Sequence, residues 1–178
     1  MDEQVALVGV VPDVGGERLT TVETVPDGWW YTTPLPHGRR VVAFVTDADL
    51  LRGGRSAQWQ QALAATHHMS RVVPGDVTPT VGAYPAETGR RAQLSGDGWL
   101  AIGDAAVTFD PLSSQGLITA MVMAARAGAL LGGEEWESDY RAVLDEHETN
   151  RAALYSAETR WPDATFWARR APVSARTA

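Results

Sequence analysis

Two short runs hold the residues whose types and spacing suit chemistry. One is Gly103-Asp104-Ala105-Ala106. The other is Asp110-Pro111-Leu112-Ser113-Ser114-Gln115-Gly116, followed at once by the apolar segment Leu117–Leu131. Asp104 follows the apolar run Trp99–Ile102, which reads as a short buried strand. Gly116 opens a helix with no charge between Leu117 and Ala125. A carboxylate at a strand end can accept a hydrogen bond from a ligand hydroxyl. A helix start offers unpaired N–H groups and a partial positive charge to an electron-rich ligand. Gly116 has no side chain, so a flat ring can approach the backbone closely. In an open α/β sheet, ligands sit beyond the carboxyl ends of the strands, where these features meet.

Other candidates carry less. His67-His68 are adjacent, so on a helix they point about 100° apart, and no third metal ligand is evident. Histidines at a helix end, favoured by its dipole, explain them better. His37 belongs to a hairpin tip. His147 lies on the apolar stripe of its helix and reads as a packed residue rather than a base. Asp47 with Asp49, and Glu134 with Glu135, read as solvated; the glutamates also suit a helix first turn. There is no nucleophile triad, no P-loop and no metal cluster. No catalytic acid or base is identifiable.

The two runs resemble the second FAD motif of the flavoprotein monooxygenase superfamily. Phe109-Asp110-Pro111-Leu112-Ser113-Ser114-Gln115-Gly116 is most similar to its tryptophan-halogenase-like branch, which includes flavoproteins that help to mature quinone-cofactor amine oxidases. The resemblance implies FAD as cofactor. It implies Gly103, Asp104, Pro111, Ser114, Gln115, Gly116 and Leu117 as cofactor-binding residues, with Asp104 on the ribityl chain and the Gln-Gly helix start at the pyrimidine edge. Ser113 and Ser114 serve equally well as plain caps. Trp29-Trp30-Tyr31-Thr32-Thr33-Pro34 falls where halogenases carry Trp-x-Trp-x-Ile-Pro. Here Tyr31 replaces the second Trp and Thr33 the Ile, and Ser113 stands where the halogenase glutamate would be. These departures speak against halogenation. A strand packing its aromatics on a sheet explains Trp29-Trp30-Tyr31 better.

The elements that must position these residues follow from pattern. Val5–Val11, Leu19–Val25, Trp29–Thr33 and Arg40–Thr46 read as successive antiparallel strands, a meander, with turns at Pro12–Gly16, Pro26–Gly28 and His37-Gly38. Asp47–Leu51 leaves the sheet. Ser56–His68 reads as a helix capped by Ser56, with Trp59 and Leu63 on one face. Val77–Tyr84 holds one more strand. Leu117–Leu131 is a buried core helix stopped by Gly132-Gly133. Glu134–Arg160 is a long helix with Trp136, Tyr140, Val143, Leu144, His147, Leu154 and Tyr155 near one stripe. Trp161, Phe166, Trp167, Arg169 and Arg170 form an aromatic and basic tail, fraying beyond Pro172.

The expected fold is an α+β fragment of an FAD/NAD(P)-binding, Rossmann-like flavoprotein. An antiparallel substrate-domain sheet (residues 1–95) precedes the last FAD-domain strand and the flavin-facing helix (96–133). A C-terminal helical region follows (134–178). The family's Gly-x-Gly-x-x-Gly turn, which seats the pyrophosphate and adenosine, does not occur. The chain therefore reads as the C-terminal part of an FAD-dependent oxidoreductase, monooxygenase-like and halogenase-related. The alternatives are a non-catalytic remnant or split subunit that completes a flavin site with another chain, and a maturase of a quinone-cofactor amine oxidase. A partner chain supplying the nucleotide half, and a small-molecule or protein substrate, are implied.

The 178 residues suffice for a sizeable core. With a net charge of −7 and dispersed arginines, nothing points to nucleic acid. The chain has no cysteine, which excludes disulfides and thiolate chemistry. The acidic start Met1-Asp2-Glu3-Gln4 is unlike a signal peptide, and no run approaches the ~20 apolar residues of a membrane span. A soluble, cytoplasmic protein is expected.

Overall fold

The computed structural model describes residues 3–14, 18–75, 77–130 and 134–170. The chain divides into two compact units: residues 1–85 with 160–169, and residues 86–159 with 170–178.

The first unit is a five-stranded antiparallel sheet in the order β2-β3-β4-β1-β5. Its strands are β1 (Gln4–Pro12), β2 (Thr21–Val25), β3 (Gly28–Leu35), β4 (Arg39–Asp47) and β5 (Gly82–Pro85). The expected meander holds only for β2-β3-β4. β1 pairs along its whole length with β4, Gln4 opposite Asp47 and Pro12 opposite Arg39, so it inserts between β4 and β5. The β3–β4 hairpin turns at His37 and Gly38, both left-handed with φ of 63° and 64°. Two successive positive φ values match the right-handed twist of the strands they join. β3 continues through Pro34, which pairs with Arg40.

Alternation sends Leu7, Val11, Trp30, Val42 and Phe44 to one face, where Trp59, Met69 and Val73 cover them. Trp30 stacks on Phe44 at 4.9 Å and meets Trp59 edge-on at 5.5 Å. The covering helices are α1 (Arg55–Ala64) and α2 (Met69–Val72). Ser56 is not the cap expected; Gly54 occupies that position with no side-chain bond, and α1 stops at Ala64. Glu23 organises the α1–α2 link instead. Its carboxylate accepts the backbone N–H groups of His67, His68 and Met69 at 2.6, 3.0 and 2.9 Å. The strand expected over Val77–Tyr84 is shorter. Proline has no N–H for a ladder, and the Pro79 ring packs where a side chain on Gly9 would be, so pairing begins only at Gly82.

The last residues of this unit include α5 (Thr165–Ala168), which buries Phe166 and Trp167. Trp167 Nε1 donates to Val25 O at 2.8 Å. Arg169 bridges Asp47 and Asp49 at 2.8 and 2.7 Å. Asp47 is therefore buried and paired, not solvated as expected; Asp49 stays exposed.

The second unit has two minimal antiparallel pairings, β6 (Gly89–Arg90) with β9 (Val107–Thr108), and β7 (Ser95–Gly96) with β8 (Trp99–Leu100). Two long helices follow, α3 (Gly116–Leu130) and α4 (Glu134–Ser156). Ala101, Ala106, Val107, Met123, Trp136, Tyr140 and Leu144 form its core. The buried strand expected at Trp99–Ile102 is only the two-residue β8, with Trp99 and Ile102 exposed. Among the described residues it has no neighbour besides β7. α3 also departs from the buried core helix expected. Met123 is buried against α4, but Leu117 is 77% exposed and Ile118 and Met121 are each 65% exposed. The unit supplies side chains to cover one face of α3 only. α4 ends at Ser156 rather than Arg160, and Leu154, expected on its apolar stripe, points to solvent. The Gly132-Gly133 stop, Gly15-Gly16 and the tail beyond Pro172 lie outside the described residues.

Candidate functional site

The two runs singled out in the sequence lie together in the second unit, and α4 holds both. Gly103–Ala105 is a single 3-10 turn packed on α3. Gly103 is left-handed (φ 56°), and a Cβ there would come within 3.1 Å of the Ala120 methyl, so glycine is favoured on both counts. This places the turn about one helical turn beyond Gly116 along α3. The Gly103 N–H donates to the Tyr140 hydroxyl oxygen at 3.2 Å. Burial pushes the Tyr140 phenol above its ordinary pKa, partly offset by that same bond, so the hydroxyl stays protonated. Asp104 faces solvent, and its carboxylate makes no hydrogen bond among the described residues.

Pro111–Ser113 is a second 3-10 turn, and Asp110 caps it. The Asp110 side chain is fully buried. It accepts from Leu112 N at 3.0 Å, from Arg151 Nε at 2.9 Å and from the Tyr155 hydroxyl at 2.8 Å. The guanidiniums of Arg151 and Arg170 lie 5.0 and 5.4 Å from the Tyr155 ring centroid. Ser113 Oγ donates to Asp110 O at 2.8 Å, so this serine braces the turn. Ser114 is left-handed (φ 54°) and exposed, and it redirects the chain into α3. Thr119 N donates to Gln115 O at 3.0 Å, the first bond of the helix. Outside its chain neighbours and its own helix backbone, a Cβ on Gly116 would meet no atom of the described residues within 4 Å, so the space beside it is open. Leu117 is exposed next to it.

Gln115 Oε1 lies 3.2 Å from Nδ1 of His147, whose ring is buried edge-on against Phe109 at 4.7 Å. Desolvation lowers the His147 pKa below its ordinary value, against the opposing pull of Asp110. The imidazole is therefore neutral at physiological pH.

Tyr140, His147, Arg151 and Tyr155 follow one another at spacings of seven, four and four residues, a single stripe of α4. That stripe pins Gly103, Gln115 and Asp110 in turn. The structure thus brings together Gly103, Pro111, Ser114, Gln115, Gly116 and Leu117 around the start of α3, with Asp104 on the adjoining turn. The sequence did not disclose Arg151 as a site residue, because a charged residue on a helix reads as solvent-facing. It did not disclose Asp110's partners either, since they lie 41 and 45 residues away. The only available signal was the i, i+7, i+11, i+15 spacing itself. His67 and His68 serve Glu23 through their backbone. Among the described residues no group of three or more His, Asp or Glu could hold a metal ion, and no helix is long and apolar enough to cross a membrane.

No family model matches the chain. A curated protein named as an FAD-dependent oxidoreductase, LodB of Marinomonas mediterranea, is 32% identical over 189 residues, covering 98% of this chain and 51% of that one. A tryptophan 2-halogenase of Chondromyces crocatus is 29% identical over 140 residues, 70% of this chain and 26% of its own length. Over most of its length the chain is thus similar to FAD-dependent oxidoreductases and halogenases. It shares its fold with the solved peptidyl tryptophan dihydroxylase QhpG, essential for tryptophylquinone cofactor biogenesis, at a TM-score of 0.83 and 24% identity over 95% of this chain and 43% of that one. The chain spans about half the length of LodB and a quarter of that of the halogenase.

Proposed function

We propose that this flavoprotein segment forms the flavin-ring half of an FAD site in a monooxygenase-like, halogenase-related oxidoreductase. The observation that carries the reading is the start of α3. There Gly116 opens onto free space, Gln115 is fixed by His147, and the Gly103-Asp104 turn packs on the same helix. This surface suits a flat, electron-rich ring. The first N–H groups of a 15-residue helix lack intrahelical partners and favour negative charge. Asp104, whose carboxylate makes no hydrogen bond among the described residues, is available to a ribityl hydroxyl. When bound, the flavin supplies the redox chemistry, and the protein supplies binding and orientation. The site residues are Gly103, Asp104, Pro111, Ser114, Gln115, Gly116 and Leu117. Pyrophosphate and adenosine would be seated by a glycine-rich segment from a further part of the protein or a partner chain. A cytoplasmic setting fits this reading.

A second reading, maturation of a quinone-cofactor enzyme with a protein as substrate, is favoured over halogenation by one observation. Ser113 stands where a halogenase glutamate is expected, and its hydroxyl is committed to Asp110 O. QhpG, a peptidyl tryptophan dihydroxylase, is itself essential for tryptophylquinone cofactor biogenesis.

The test is fluorescence titration of the purified chain with riboflavin, FMN and FAD. A site that addresses only ring and ribityl chain binds all three weakly and within about threefold of one another, a spread under ~0.7 kcal/mol. Absence of binding by any of them, or FAD binding more than about 30-fold tighter than riboflavin, would contradict the proposal.

A further inference from the structure

We infer that His147 is the positioning residue of Gln115: its Nδ1–H holds the Gln115 side-chain oxygen and leaves the Gln115 amide N–H2 as the donor offered at the start of α3. The inference rests on the flavin-site reading and names the device that orients its polar contact.

The argument begins with the two nitrogens of the ring. His147 is almost wholly buried, and its Nε2 has no hydrogen-bond partner among the described residues. Nδ1 faces Gln115 Oε1 at 3.2 Å. A neutral imidazole carries one proton, so two arrangements exist. In one, the proton sits on Nε2, where it would be a buried donor with no acceptor, and Nδ1 would accept from a rotated Gln115 amide. In the other, the proton sits on Nδ1 and donates to Oε1, and Nε2 is left as a bare lone pair. Orphaned buried donors are the rarer and costlier case. The hydrogen bond at one nitrogen thus fixes the state of the other. Addition of a second proton at Nε2 would create the same orphan with a charge on it. Asp110 and Arg151, the charged groups near the ring, already pair with each other. Glu148 is exposed on α4.

The consequence falls on Gln115. With Oε1 committed, its amide nitrogen is the end of the side chain that makes no hydrogen bond among the described residues. A free glutamine beside the ring would offer oxygen or nitrogen with little preference. A glutamine locked by His147 offers two donors, which select carbonyl and ring-nitrogen acceptors such as those on the pyrimidine edge of a flavin. Phe109, packed on the imidazole, restricts the ring that does the locking.

The experiment has two arms on the same chain. Nitrogen-15 NMR of the labelled protein between pH 6 and 8 should show His147 protonated on Nδ1 and bare on Nε2. The Nε2–H form, or a mixture of the two, would overturn the proposal. Riboflavin titration then compares His147→Leu, His147→Asn and Gln115→Leu, with folding checked by circular dichroism. Loss of one oriented hydrogen bond should weaken binding up to about tenfold in His147→Leu and in Gln115→Leu, with no further loss in the double variant. Asn keeps an N–H donor near the Nδ1 position and should restore binding to within about threefold of wild type. If His147→Leu folds and binds as wild type while Gln115→Leu binds weakly, His147 does not position Gln115 and the flavin-site reading survives. If neither Gln115→Leu nor Gly116→Val affects binding, the flavin-site reading falls, and this inference with it. If His147→Leu does not fold, the NMR arm and the Asn variant decide.

Discussion

Asp110 is the residue on which the geometry of the candidate site depends most. Its buried carboxylate gathers a backbone N–H, a guanidinium and a phenol. Removal of one partner from a buried ion pair leaves the other uncompensated, at a typical cost of ~3–5 kcal/mol. Arg151 is 23% exposed and can be partly rehydrated, so the lower end applies here. Asp110→Ala should lose about 3 kcal/mol, read as a lower urea midpoint with an unchanged slope. Glu23 makes a prediction about pH. Burial alone would raise its carboxyl, but three backbone donors hold it below the ordinary 4.5. A depressed carboxylate contributes stability above its unfolded pKa, and that stability is lost as pH falls below about 4.5 toward the folded value. The group is partly solvated, so the contribution is on the order of 1 kcal/mol. Glu23→Gln should flatten this part of the stability-against-pH curve, and an equally steep curve would argue against it. Asp104 and Asp97 are both exposed, yet only Asp104 adjoins α3. Asp104→Ala should weaken flavin binding roughly tenfold or more, by the worth of a charge-assisted hydrogen bond, while Asp97→Ala leaves it unchanged. Residue types at 103–104 and 110–116 were legible from spacing. Their supports on α4 were not, because side-chain pairs across about 40 residues leave no periodic mark.

At the scale of elements, α3 is divided between its two faces. Met123 joins the core cluster that holds Trp136 and Tyr140, and Arg126 pairs with Asp139 at 2.7 Å. The opposite face shows Leu117, Ile118, Met121 and Val122 to solvent. A contiguous exposed apolar patch of this kind marks an interaction surface or an association liability. The purified chain should therefore bind a hydrophobic dye and sediment with concentration-dependent association. Ile118→Glu with Met121→Glu should suppress both without lowering the melting temperature, because neither side chain contributes to the core. The sequence presented α3 as a core helix because hydrophobicity reports what wants burial, not what is available to bury it. The sheet shows a related limit. Alternation located β1 to β4 within two residues at each end. Adjacency in sequence suggested a meander, whereas pairing placed β1 beyond β4. Turn residues such as His37-Gly38 were legible because two left-handed positions demand particular chemistry.

The whole molecule combines a five-stranded antiparallel unit with a helical unit that carries every candidate site residue. That the chain spans about half of LodB bears on what it can do alone. On the proposed reading the candidate residues address a flavin ring and its ribityl chain, and no Gly-x-Gly-x-x-Gly occurs in this sequence to seat a pyrophosphate. The isolated chain should therefore purify without a stoichiometric flavin band near ~450 nm, the region expected of an oxidised flavin. Added flavin should bind reversibly and weakly. A stoichiometric, co-purifying flavin in a soluble monomer would show that this half suffices.

The central claim, that the start of α3 receives a flavin ring, is tested most directly at Gly116. Among the described residues, outside its chain neighbours and the backbone of its own helix turn, no atom lies within 4 Å of a Cβ placed there, and the residue does not have a positive φ. Alanine or valine at this position should leave folding intact, and Gly116→Ala should stabilise by about 0.4–1 kcal/mol through the unfolded state. Any loss of flavin affinity would then report a ring against the backbone rather than damage to the fold. The measurement is riboflavin affinity of Gly116→Val against wild type, with the melting curves of both. The account predicts unchanged melting and at least about a tenfold loss of affinity. Equal affinity in the two proteins would contradict it.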